Sequence, residues 1–129
     1  MCWWAMKFQK QNSINSNKKM NEKPNLIVDL TFDFALKIIN YTENLEENRK
    51  YNMANQLFRS GTSIDANVSE AQHAESKRDF IHKIKIAAKE AEETRYWLSL
   101  CENTISYPDP NSLISELETI QKIITKIIV

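Results

Sequence analysis

Apolar side chains return at steps of three and four over four stretches of this chain, the spacing that lines one side of an α-helix. Ile27, Leu30, Phe34, Ile38 and Tyr41 mark the first helix, predicted from about Leu26 to Thr42. Val28, Phe32, Ala35 and Ile39 form a second stripe on it, turned by about 100° at 3.6 residues per turn. One buried face has no use for two stripes, so this helix is expected to meet two neighbours, one of them another subunit. The polar stretch Glu43 to Asn48 predicts a short connection.

The second helix is predicted from about Arg49 to Gln72, with Met53, Leu57, Gly61, Ile64, Val68 and Ala71 as its core stripe. Beside these run Gln56, Ser60, Ser63, Asn67 and Glu70. The segment SGTSIDANVS has poor intrinsic helix propensity, so its helicity must come from packing, and its small side chains let a neighbouring helix come close. The polar stripe is either a binding surface or a hydrogen-bonded layer between helices. Ser76 followed by Asp79 reads as a capping-box variant that opens a third helix, running to about Glu102. Phe80, Ile84, Ala87, Ala91, Thr94 and Leu98 face its core, while Ile86, Glu90, Glu93, Trp97 and Leu100 share another face. After a turn over Asn103 to Pro108, Asp109 caps the fourth helix, with Pro110 at its first position. Leu113, Leu117, Ile120, Ile124 and Ile127 form its apolar stripe. Long helices joined by short connections predict an all-α, up-and-down antiparallel four-helix bundle.

Composition supports that pattern. A chain of 129 residues fits one domain, and a single glycine with three prolines cannot supply the turns of a β-rich fold. The 17 basic and 17 acidic residues balance overall, but unevenly. Residues 1–23 carry five lysines against Glu22, a net charge of +4, and residues 24–129 carry a net charge of −4. The bundle is therefore placed at 24–129. The first 23 residues, rich in Lys, Asn, Gln and Ser after MCWWAMKF, read as a disordered tail or as sequence upstream of a true start at Met20. No apolar run approaches the ~18 residues of a membrane span. The opening lacks the basic lead of a signal peptide. Two cysteines, Cys2 and Cys101, make no disulfide framework. A cytoplasmic location is the expectation.

Candidate chemistry is sparse. Glu90 and Glu93 share a face and could hold a metal with Glu70, but ion pairing is the simpler reading. No Glu is followed three residues later by His, as di-iron bundles require, and His73 and His82 stand apart. No glycine-rich elbow or phosphate-cradling loop can be built with Gly61 alone. Cys101 lies near a helix C-terminus, where the dipole disfavours a thiolate. The expectation is a protein that is not an enzyme and needs no cofactor or metal. What remains is a row of cations. Arg78, His82, Lys85 and Lys89 line one outer stripe of the third helix, and Tyr96 continues it. Lys77 and Arg78 in the first turn oppose the helix dipole, which points to another use for their charge. The row is either a solvated face or a nucleic-acid site, and the acidic average of residues 24–129 weighs against an indiscriminate grip on phosphates.

The segment QLFRSGTSIDANVSEA, Gln56 to Ala71, resembles the signature of the four-helix-bundle proteins of the 23S ribosomal RNA intervening-sequence family. SKRDFIHKIKIAAKEAEETRYWLSL, Ser76 to Leu100, resembles the same family's third helix. The likeness is looser over helices one and four and stops before about Met20. Arg59, Ser63, Ile64, Asn67 and Glu70 match the family pattern on helix two, and Glu90, Glu93, Thr94, Trp97 and Leu98 match it on helix three. Ala71 stands where many relatives have glycine and Gly61 where many have alanine, exchanges expected to be conservative for the fold. The resemblance implies a homo-oligomer, a ring-shaped pentamer in characterised relatives. That would use Val28, Phe32, Ile39, Ile86, Trp97 and Leu100 between copies. It also implies association with ribosomal RNA or other nucleic acid, DNA included, and a protein partner such as the reverse transcriptase that a related branch serves. The competing expectation is a structural protein–protein interaction module with no nucleic-acid role.

Overall fold

The computed structural model describes residues 23–129. Four helices occupy that span: α1, Lys23–Glu47; α2, Tyr51–Ala71; α3, Lys77–Glu102; and α4, Asn111–Ile128. Each packs on its predecessor, α4 returns to α1, and the backbones of the diagonal pairs stay farther apart. There is no strand among the described residues. The fold is the up-and-down four-helix bundle that the apolar spacing requires. Expectations about a tail or a start at Met20 lie outside the described residues.

The core is built by Phe34, Ile38 and Leu45 of α1, Leu57, Ile64 and Val68 of α2, Ile84 and Leu98 of α3, and Leu117, Ile120 and Ile124 of α4, all essentially inaccessible to solvent. Each such side chain contributes on the order of 1.5–3 kcal/mol of burial free energy. Ala54, one residue after the expected Met53, takes the fully buried place at the start of α2, and Met53 is half-buried beside it. Ala35, assigned to the second stripe of α1, also lies in the core.

The connection expected at Glu43 to Asn48 is largely helix. Leu45 follows Tyr41 by four residues and Ile38 by seven, so it continues the core stripe while Glu43, Asn44, Glu46 and Glu47 face solvent. That one leucine carries α1 five residues beyond the predicted end. Arg49 then turns the chain with φ 63°. Its N–H donates to the Glu46 carbonyl at 2.9 Å and the Lys50 N–H to the Leu45 carbonyl at 2.8 Å, a Schellman cap with arginine in the place glycine usually takes.

The later caps follow the sequence reading closely. Ser76 Oγ accepts from the Asp79 N–H at 3.0 Å, and the Asp79 carboxylate accepts from the Glu75 N–H at 3.2 Å. Asp109 Oδ1 accepts from the Asn111 N–H at 2.9 Å, with Pro110 just outside α4 rather than at its first position. Tyr41 Oη donates to the Pro108 carbonyl at 2.6 Å, tying the α3–α4 connection to α1.

Two contacts set the register of α1 against α2. Gly61 lies against Ile38, so near that a Cβ at position 61 would sit 2.9 Å from both Ile38 Cγ atoms. Thr31 Oγ1 lies 3.1 Å from Asp65 Oδ1 and 2.9 Å from the Ile27 carbonyl. The glycine–alanine exchange at 61 is therefore not a neutral one in this chain, because Ile38 is wholly buried and branched at the atoms it would meet.

Candidate assembly face and nucleic-acid stripe

The register of α1 and α2 leaves an apolar face along their outer groove. Phe32 is 57% exposed, Leu36 47% and Phe58 48%, with Val28 and Ile39 half-buried at its base. The Thr31–Asp65 contact puts Phe32 alongside Asp65, and Phe58 lies two helical turns from Asp65 on the same side of α2. Large apolar side chains clustered in this way are uncommon on a solitary soluble subunit. Val28, Phe32 and Ile39 were legible as a second stripe. Leu36 and Phe58 were not, because each directly adjoins the residues of an apolar stripe. The signal for Leu36 was its place four residues after Phe32. Asp65 escaped notice because its polarity suits a surface and only its partner, Thr31, shows that it is half-buried.

The face of α3 that carries Ile86, Trp97 and Leu100 is partly anchored to α2. Trp97 Nε1 donates to Glu93 Oε2 at 3.0 Å. Arg59 Nη1 meets Glu90 Oε1 at 3.2 Å, and Arg59 Nη2 donates to Glu93. Arg59 and Trp97 together hold the Glu93 carboxyl below the usual carboxylate range. Farther along the seam the buried hydroxyls of Ser60 and Thr94 are hydrogen-bonded at 2.9 Å, and Lys83 Nζ meets Glu70 Oε1 at 3.0 Å. Asn67 Nδ2 donates back to the Ser63 carbonyl at 2.8 Å. Of the polar stripe of α2, Ser60 and Glu70 bond across to α3, while Ser63 and Asn67 bond back to carbonyls of their own helix and Gln56 is exposed. Ile86 is half-buried and Leu100 is exposed on the outer side.

The three carboxylates weighed as metal ligands are divided between cations, Glu70 with Lys83 and the other two with Arg59. Among the described residues no group of three His, Cys, Asp and Glu side chains is placed to hold a metal. His73 and His82 are exposed. Burial pushes the Cys101 thiol up, and its hydrogen bond with Tyr41 only partly offsets that. A thiol so placed is a poor nucleophile.

Arg78, His82, Lys85 and Lys89 are all exposed on α3 and make no ion pair with a described residue. Tyr96 is 56% exposed farther along, with Glu92 interrupting the row between Lys89 and Tyr96. On α4, Glu118, Gln121, Lys122 and Thr125 line a shallow open hollow. Arg95 Nη1 stands 3.2 Å from Glu118 Oε2, close enough for charge pairing but not aligned as a hydrogen bond. No helix among the described residues is long and apolar enough to cross a membrane.

The family model of the 23S rRNA-intervening sequence protein matches residues 23–126, all four helices nearly to their end. The chain belongs to that family. It is also similar to a solved structure, a protein with unknown function from the S23 ribosomal protein family of Bacteroides thetaiotaomicron VPI-5482. The two share 40% identity and a TM-score of 0.75, over 79% of this chain and 97% of that one. No curated protein matches the chain. Within this member of the 23S rRNA-intervening sequence protein family, most positions that carried the resemblance serve the core or the α2–α3 seam, while Ser63 and Asn67 bond back within α2. Ile64 and Leu98 are in the core, Thr94 bonds Ser60, Arg59 joins Glu90 and Glu93, and Trp97 donates to Glu93.

Proposed function

We propose that this protein is a non-enzymatic homo-oligomer that associates with RNA, its bundle acting as a scaffold rather than a catalyst. The observation that carries the reading is the apolar face of Phe32, Leu36 and Phe58, which the bundle itself leaves on the surface. Covering it with another copy removes it from water at about 25 cal/mol per Å². A ring of five is the number that the family resemblance implies. The RNA half of the reading is supported by the unpaired cations of α3 and by the family's description, which names 23S rRNA. In a ring that row repeats once per subunit, so a positive band forms despite the acidic average.

Light scattering on the purified chain tests assembly, with a mass of several subunits expected and a single subunit overturning the proposal. Filter retention of labelled ribosomal RNA at ~50 mM salt tests the second half. Retention is expected to fall steeply with added salt and to be lost in Arg78→Glu with Lys85→Glu. An assembled protein that retains no RNA would overturn the RNA association and leave a protein–protein interaction module.

A further inference from the structure

Two faces of the bundle carry charges of opposite sign that make no ion pair with a described residue. On the α1–α2 face, Asp65 is half-buried alongside Phe32, two helical turns from Phe58, and makes no ion pair with a described residue. Its hydrogen-bond partner is the Thr31 hydroxyl, whose single proton is also within reach of the Ile27 carbonyl. The carboxylate keeps acceptor capacity beyond that one bond. On α3, Lys89 follows Ile86 by one turn and lies on the way to Leu100, exposed and without an ion-pair partner. The neighbouring Glu90 and Glu93 do not compensate it, since Arg59 engages both.

We propose that these faces are counterparts: the α1–α2 face of one copy seats the α3 face of the next, with Asp65 receiving Lys89 across the contact. This deepens the homo-oligomer reading and rests on it. Apolar side chains meet apolar side chains, Phe32, Leu36 and Phe58 on one side and Ile86, Trp97 and Leu100 on the other. Packing either face against its own copy would gather two Asp65 carboxylates, or two Lys89 ammoniums, in one contact with no countercharge between this pair of groups, which is costly. The heterologous contact satisfies both charges at once and leaves every copy with one donor and one acceptor face. Copies therefore add in one direction, into a ring where the rotation between neighbours closes on itself. It assigns Lys89 to assembly and leaves Arg78, His82 and Lys85 to the RNA row.

A charge exchange on the full chain tests this, read by light scattering, with circular dichroism confirming that each variant is folded. Asp65→Lys and Lys89→Asp should each weaken assembly roughly tenfold or more. The double variant, Asp65→Lys with Lys89→Asp, should recover it. Lys89 touches nothing that the fold needs, so Lys89→Asp is informative even if Asp65→Lys unfolds. Undiminished assembly in Lys89→Asp, or a double variant that stays dissociated, would overturn this pairing while leaving the homo-oligomer standing. A wild-type chain that is itself a single subunit would instead overturn the homo-oligomer reading.

Discussion

Half-burial strips water from the Asp65 carboxyl and holds its proton above the ordinary carboxylate range, with the Thr31 hydroxyl offsetting only part of the effect. The folded subunit thus binds this proton more tightly than the unfolded chain does. The Asp65 contribution to stability is most favourable below the usual carboxylate range, declines as pH rises from that range to the folded value, and is level above it. Asp65→Asn removes the charge but keeps an acceptor for Thr31. In the Lys89→Asp background, at a concentration where light scattering shows single subunits, urea denaturation should show the asparagine variant slightly more stable at pH 7. The gap should close near about pH 3, where the aspartate is already neutral. An asparagine variant no more stable at pH 7 would show that the anion is not penalised. Nothing in the spacing of apolar residues marked Asp65, and nothing marked Arg49 either. A left-handed residue at a helix end is legible when it is glycine; here an arginine fills it, and only φ reveals the cap.

The starts of α3 and α4 were legible because side chains write them. Ser76 and Asp109 each bond a backbone N–H that a new helix leaves open. The end of α1 is decided by tertiary contact, where Leu45 reaches the core from within a run of polar residues, and polarity alone pointed to a loop. The pairing of α1 with α2 depends in the same way on a partner that local sequence cannot name. Gly61→Ala should gain about 1 kcal/mol of helix propensity, but overpacking against Ile38 costs about 1–3 kcal/mol. Net destabilisation is expected, read as a lower denaturation midpoint. In an Ile38→Ala background the sign should reverse, because the added methyl then enters a cavity. Destabilisation of equal size in both backgrounds would mean that Ile38 is not the obstacle.

The bundle was readable as a whole because four apolar stripes admit few other arrangements. The faces between copies were readable only in part, since an exposed leucine beside a core position resembles any surface residue until its neighbours are known. Phe32 announced itself by spacing; Leu36 and Phe58 needed the register fixed by Ile38 and Gly61. If copies bind one another only when folded, melting must respond to concentration. A tenfold increase should raise Tm by roughly 2–5 °C, and an invariant Tm across a hundredfold range would mean that the melting unit is the lone subunit. The order of packing, each helix on its predecessor with α4 alone reaching back to α1, also governs how the protein is made. As the chain leaves the ribosome, α1 waits only for α2 and that pair only for α3, so nearly every native contact forms between recently synthesised neighbours. The last segment to emerge acts as a clasp, and a nascent chain arrested before it would hold an open three-helix sheaf with its interior uncovered on one side.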